Sequence, residues 1–281
     1  SVFDYEEELD IGNYVKAWEL SIEKHPILRT AFNWQEEINQ VVYKKGVLEY
    51  YSHDISEIAD KTKAIRDIQE HDRQEGFDLS KPTQLRLHII KQSDNHYTII
   101  KSEHHSISDG WSGPILMNAV HSNYHELSVG NKSQVIQDNS YLRVQDYIQS
   151  HKEQAQEYWQ EKLIDIEVND LSVLLTTGKN INDIKELEGN YTQSLIIEDK
   201  IYNKIKDITT SLGITTNTLL QFVWHKLLQI YTQDRQTIVG TTISGRDIPI
   251  EGIEDGVSIY INTLPLIVDC DNENTVKEQI R

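Results

Sequence analysis

A single cysteine, Cys270, in a chain of 281 residues rules out an internal disulfide, and no CxxC or Cys/His zinc spacing can be assembled around it. Positive charge is short as well: Lys+Arg 27 stand against Asp+Glu 45, a formal net charge of -18. That sign excludes a protein that holds nucleic acid or an anionic membrane through its surface as a whole. Long apolar runs are missing, none approaching the about 18–20 residues of a membrane span. The acidic start SVFDYEEELD lacks the basic opening and apolar block of a signal peptide. Repeats and low-complexity segments are also lacking. These absences predict a soluble protein of a reducing, cytoplasmic compartment, in which the sequons at Asn131 and Asn190 are chance matches. The length allows one large domain or two smaller ones, each with its own core.

What is present alternates strands with helices. VFDYEEELD alternates like a strand, and Asp10 is placed to cap a helix through IGNYVKAWELSIEK that Pro26 stops. QLRLHII and HYTIIKSE, joined by the turn-forming KQSDN, read as a β-hairpin. After SDGWSGP, Pro114 suits the first position of a helix through ILMNAVHSNYHEL. DYIQSHKEQAQEYWQEKL reads as one further helix. A linker-like stretch then suggests a boundary near residue 165, dividing the chain into lobes of residues 1–165 and 166–281. The second half predicts a strand (YTQSLIIE), a helix (KIYNKIKDITTSLG) and an apolar helix opened by Thr216 or Asn217. The strands TIVGTTIS and IYINTLPLIVD follow. The fold class is α/β in two lobes.

The chemistry gathers in IIKSEHHSISDGWSGP, residues 99–114, where His104 and His105 close a strand and Asp109 follows in a polar turn. Three readings are open: a metal site, a general base with a supporting carboxylate, or a hydrogen-bonded structural pair. Neighbouring side chains on an extended segment point to opposite faces, so the two histidines are not expected to share a ligand. Glu103, one histidine and Asp109 have no recognised metal-ligand spacing, so no metal is expected. Ser106 and Ser108 are formally acyl nucleophiles, but no G-x-S-x-G elbow supports them, and turn capping accounts for them better.

The whole string HHSISDG resembles the HHxxxDG motif of the condensation domains of nonribosomal peptide synthetases, in the chloramphenicol acetyltransferase-like superfamily. EKHPILRTAF resembles that family's RHExLRTxF segment, and EGFDLSKPTQLRLHII the stretch before its histidine strand. QDYIQSHKEQAQEYWQEKL, TIVGTTISGRD and SIYINTLPL resemble later motifs, in family order along nearly all of the chain.

The resemblance implies two acyltransferase-like lobes in a V-shaped pseudo-dimer, with His105 in a tunnel between them and the second lobe incomplete here. It implies that a carrier-bound acyl or peptidyl thioester passes to the amine of a carrier-bound acceptor amino acid. The partners would be upstream and downstream peptidyl carrier proteins and an adjacent adenylation domain. Substrates would ride on phosphopantetheine arms, with no cofactor held by the domain itself. An unperturbed histidine, pKa about 6.5, is mostly neutral near pH 7 and suits the role expected of His105. By the same resemblance His104 shapes the turn, Asp109 braces the loop by pairing with an arginine, and Gly110 permits the turn and leaves room for the arm. Trp111 is either tunnel wall or packing. Lys24, standing where the family has an arginine, and Arg29 are support residues, as are Arg246 and Asn262 in the later motifs. Ser150, Ser258 and Ile267 depart from the family's usual tryptophan, glycine and arginine, which bears on substrate fit and second-lobe packing. SISDGWS resembles the subtype joining an L-donor to an L-acceptor. The alternatives are a related HHxxxDG acyltransferase or epimerase, although the epimerase pattern lacks the glycine of DGW, or a silent module that only docks carrier proteins.

Overall fold

The computed structural model describes residues 1–35, 38–131, 134–174, 192–269 and 274–280; Cys270 and Asn190 lie outside them. The chain forms two compact units, one of Ser1–Gln154 with Ser244–Asn262, the other of Ala155–Ile243 with Thr263–Arg281. Along the sequence the chain passes from the first unit to the second after Gln154, and a late segment, Ser244–Asn262, returns to the first unit. Continuous helical periodicity through residues 146–163 hides the first change, and hydrogen bonds to Asp109, described below, explain the second.

The first unit is built on a four-stranded sheet of β1 (Val2–Tyr5), β6 (His96–Glu103), β5 (Leu85–Ser93) and β4 (Glu49–Asp54), in that order. β1 and β5 run antiparallel to β6, and β4 is parallel to β5. The expected hairpin is present, with β5 extending to Ser93 so that only Asp94 and Asn95 turn. On one face lie α1 (Ile11–Lys24) and α3 (Ser112–Ser128). Tyr14, Ala17, Trp18 and Ile22 of α1 recur at helical spacing and pack with Leu85, Leu87 and Ile89 of β5 and Leu116 and Val120 of α3. Burying each large aliphatic residue contributes about 1.5–3 kcal/mol. Asp10 caps α1 by accepting from the Asn13 N–H at 2.9 Å. His25 is extended before Pro26, as a pre-proline residue prefers, and ends the helix. A short 3-10 turn, Pro26–Arg29, leads into a two-stranded antiparallel sheet of β2 (Thr30–Asn33) and β3 (Asn39–Val42).

The other face of the main sheet meets α2 (Lys61–Glu75), an element that pattern reading alone did not find. Ile65 and Ile68 of α2 pack on Ile55, Ile90 and Ile100. The next residue on that stripe is the buried Asp72. α3 begins at Ser112, two residues earlier than expected, so Pro114 occupies its third position. It is tolerated there because the first four helix N–H groups have no intrahelical acceptor.

Residues 146–163 form two helices rather than one: α4 (Ser140–Ser150) and α5 (Lys152–Lys162), separated at His151. In the second unit, α6 (Asp199–Leu212) ends at Gly213 in a left-handed conformation. α7 (Thr216–Thr232) is capped by Thr215, one residue before the expected caps; its Oγ1 accepts from the Thr218 N–H at 3.1 Å. β7 (Gln236–Ile243) pairs with β8 (Asn262–Asp269), and α8 (Val276–Gln279) opens with a capping box from Thr275. The strand expected at YTQSLIIE does not form over 192–198, since no described strand offers it a ladder. β8 starts three residues later than IYINT suggests, because the N–H groups of Tyr260 and Ile261 are bound to Asp109 instead.

Candidate active site

β6 delivers the two histidines at its end, and the chain then turns. The His104 N–H donates to the Gln84 carbonyl at 3.0 Å, and the Ile107 N–H to the His104 carbonyl at 3.2 Å. Different surroundings for the two histidines are realised by this turn, not by strand alternation, because β6 stops at Glu103. His104 packs edge-on against Phe77, and its Nδ1 accepts from the Ser106 N–H at 3.1 Å. His105 is exposed and lines a cavity of about 500 Å³ with Ser102, Ser108, Asp109 and Gly110. The Ser106 hydroxyl is buried without a hydrogen-bond partner, so the His104 imidazole, rather than that hydroxyl, secures this turn.

Asp109 is the most heavily bound residue of the turn, and its side chain is fully buried. One carboxylate oxygen accepts from the Ser112 N–H at 2.8 Å, the Ser112 hydroxyl at 2.9 Å and Arg246 Nη2 at 3.3 Å. The other accepts from the N–H groups of Tyr260 at 2.9 Å and Ile261 at 3.4 Å. Burial pushes this carboxyl up, but the donors from Tyr260, Ser112 and Arg246 outweigh it, so its pKa lies below the ordinary aspartate value. Arg246 also donates to the carbonyls of Ile253 at 2.6 Å and Gly256 at 3.0 Å, and lies over the Tyr260 ring at 4.3 Å. The geometry is that of a brace. Ser258 belongs to the same knot: its N–H donates to the Ser112 hydroxyl at 3.1 Å, and its carbonyl oxygen lies 2.6 Å from that hydroxyl. This departure from the family pattern thus touches the first unit rather than second-lobe packing.

The remaining candidates separate. Gly110 lines the cavity, has no positive φ, and a Cβ there would meet no atom within 4 Å, so the turn itself does not require glycine. Trp111 is 54% exposed and is not among the residues lining this cavity. Arg29 is buried away from the cavity; its guanidinium donates to the carbonyls of Tyr43 at 2.6 Å and Glu23 at 3.5 Å, tying α1 to the end of β3. Lys24 ends α1, and its carbonyl accepts from the Asp138 N–H at 2.8 Å. Asn262 is exposed at the start of β8. Ser150 closes α4 with its hydroxyl on the Tyr147 carbonyl, and Ile267 is half-buried in β8. Among the described residues no group of three or more His, Cys, Asp or Glu side chains is placed to hold a metal ion. No helix among them is long and apolar enough to cross a membrane.

Sequence reasoning missed the cavity floor. Asp72 of α2, 5% exposed, accepts from Arg86 Nε at 2.7 Å and His88 Nε2 at 3.1 Å on one oxygen, and from the Ser102 hydroxyl on the other. His88 Nδ1 lies 3.0 Å from His53 Nε2. Asp72 and Ser102 both line the cavity. Burial raises the Asp72 carboxyl, but the donors from Ser102, Arg86 and His88 bring it below its ordinary pKa. A carboxylate continuing the apolar stripe of Ile65 and Ile68 was the available signal.

The family model described as the condensation domain matches residues 1–281. The chain belongs to the condensation domain family. This condensation domain is 35% identical over 276 residues to N-(5-amino-5-carboxypentanoyl)-L-cysteinyl-D-valine synthase of Amycolatopsis lactamdurans, covering 94% of the chain and 8% of that protein. It is 30% identical over 270 residues to bacitracin synthase 3 of Bacillus licheniformis, covering 92% of the chain and 4% of the relative. The chain thus spans under a tenth of these relatives. Among solved structures it matches the condensation domain from the monacolin K polyketide synthase MokA with TM-score 0.72 and 16% identity, over 99% of the chain and 64% of that structure. The epimerization domain of tyrocidine synthetase B matches with TM-score 0.70 and 14% identity, over 100% and 64%. The mixed α/β fold is that of condensation domain structures, of which the chain spans about two thirds. Condensation domains of nonribosomal peptide synthetases are peptide-bond-forming acyltransferases working with phosphopantetheine-bearing carrier proteins.

Proposed function

We propose that this domain joins a carrier-bound acyl or peptidyl thioester to the α-amine of a carrier-bound acceptor, the donor and acceptor both L-configured. Residues 1–165 would supply the acyltransferase-like lobe that carries the chemistry, and residues 166–281 would begin the second. Peptidyl carrier proteins would present both substrates on phosphopantetheine arms, beside an adenylation domain and with no cofactor resident in the domain.

The observation that carries this reading is the pairing of an exposed, cavity-facing His105 with a fully buried Asp109 that five donor contacts hold as a brace. The loop is fixed so that the imidazole, rather than the carboxylate, meets the substrate. His105 accepts a proton or hydrogen bond from the amine as its nitrogen attacks the thioester carbon. The C–S bond breaks, the thiolate leaves with the electron pair, and the proton lost by nitrogen ends on sulfur. Trp111, Lys24, Arg29, Arg246 and Asn262 then serve support rather than chemistry.

The test is amide formation between two loaded carrier proteins, with the domain in the chain in which it naturally stands. His105→Ala should lower the rate by roughly 10²–10⁴-fold, whereas His104→Ala should act chiefly on the melting temperature. Equal catalytic losses from two well-folded variants would sink the distinction. Preference for D-ended over L-ended donors in the same assay would reverse the stereochemical assignment.

A further inference from the structure

A serine hydroxyl has one proton to donate, and Ser102 commits its proton to Asp72. The arrangement is enforced from the far side. Arg86 Nε and His88 Nε2 occupy the other Asp72 oxygen, at 2.7 and 3.1 Å. Register places Arg86 directly opposite Ser102, so the three strand residues and Asp72 form one polar layer between α2 and the sheet. Asp72 is ionised near neutral pH, since these donors outweigh its burial. A hydroxyl whose proton points at a carboxylate has only lone pairs left to offer. Ser102 therefore presents a pure hydrogen-bond acceptor to the cavity that His105 also lines.

We propose that Ser102 is a second substrate-contacting residue of the condensation, accepting one N–H of the acceptor's α-amine while His105 accepts the other. The proposal rests on the condensation reading above. A neutral primary amine has two N–H bonds and one lone pair. Two acceptors that engage both N–H bonds leave the lone pair free and fixed in direction, which is the geometry that attack on a carbonyl carbon requires. The C–N bond forms, the C–S bond breaks, and the proton shed by nitrogen passes by way of His105 to the departing sulfur. Ser102 keeps its own proton throughout. Asp72 is a positioning residue: it touches no substrate but dictates which way the hydroxyl faces. A protonated amine, with three donors and no lone pair, would be held by the same acceptors in an unreactive state until His105 takes its proton.

The experiment uses the full natural chain with donor- and acceptor-loaded carrier proteins, comparing wild type with Ser102→Ala, Ser102→Thr and Ser102→Cys, and monitoring melting temperature alongside. Losing one such hydrogen bond should lower the maximal rate by roughly tenfold to a hundredfold in Ser102→Ala, leaving the KM for the acceptor-loaded carrier protein nearly unchanged. Ser102→Thr, which restores the hydroxyl, should recover most of the rate. Ser102→Cys, close to serine in size but a weak acceptor, should behave like the alanine variant, so a fold defect specific to alanine cannot mask the result. Folded Ala and Cys variants with wild-type rates would overturn the inference, as would a folded Thr variant as slow as alanine. A wild-type chain that forms no amide would overturn the condensation reading and this inference with it.

Discussion

Asp109→Ala offers the sharpest test of whether this carboxylate reacts or braces. The side chain is fully buried, and its removal strips acceptors from the Ser112 and Tyr260 N–H groups and from Arg246, whose own side chain is only 9% exposed. Breaking one partner out of a buried ion pair costs about 3–5 kcal/mol, and each stranded N–H about 1–3 kcal/mol, terms that overlap rather than add. Arg246 keeps the Ile253 and Gly256 carbonyls, which moderates its share. A net loss of about 3–5 kcal/mol in a unit of this size should lower the melting temperature by roughly 6–20 °C. Asp109→Asn, which keeps one acceptor oxygen but turns an NH2 toward donors, should show a smaller fall. The assay is thermal unfolding followed by near-ultraviolet circular dichroism beside amide formation at a temperature where the variant stays folded. An inactive Asp109→Ala with an unchanged melting temperature would refute the brace and place Asp109 in the chemistry.

Two further outcomes follow from the same unit. Burial pushes Asp138 up, but hydrogen bonds from His25 and Ser140 overcome it and hold the carboxyl at about 2 against an ordinary 3.8. A depressed carboxylate adds stability above its unfolded pKa and loses it as pH falls through the folded value, here roughly 2 kcal/mol between about pH 4 and pH 2. Urea unfolding at pH 5 and pH 3 should show part of that loss, and Asp138→Asn should flatten it; an equal pH dependence in the variant would contradict the assignment. Gly245 has φ 67, and a Cβ there would lie 1.8 Å from the Tyr260 carbonyl oxygen, while one at Gly110 meets nothing within 4 Å. Gly245→Ala should therefore cost well over about 1 kcal/mol, and Gly110→Ala should leave the melting temperature unchanged while slowing amide formation, the reverse ranking counting against both readings.

Local elements were legible where local physics decides them. Asp10, the spacing of Tyr14, Ala17, Trp18 and Ile22, and Pro26 mark α1 from cap to stop, and the alternation of β5 and β6 marks their hairpin. The turn presenting His105 was legible for the same reason. Asp109 and Arg246 were each legible as members of separate motifs, but their mutual contact spans 137 positions, and no local pattern reports such a distance. Ser102 and Asp72 were illegible because their meaning arises only when a helix lays a carboxylate across two strands; read alone, Ser102 is a small polar residue near a strand end. The strand expected over 191–198 shows the opposite failure, apolar content that finds no ladder among the described residues.

The return of Ser244–Asn262 to the first unit sets a clock on synthesis. Asp109 leaves the ribosome 137 residues before Arg246 and 151 before Tyr260. At about 5–20 residues per second, that interval lasts roughly 7–30 s. Throughout it Asp109 has only its local donors from Ser112 and lacks those of Arg246, Tyr260 and Ile261. The unit can collapse around its sheet in that time but cannot lock until the late segment arrives. Lesions within residues 244–262 would then be felt first as lost yield during translation, in the hands of chaperones and proteases, before any finished molecule exists whose catalysis could be measured.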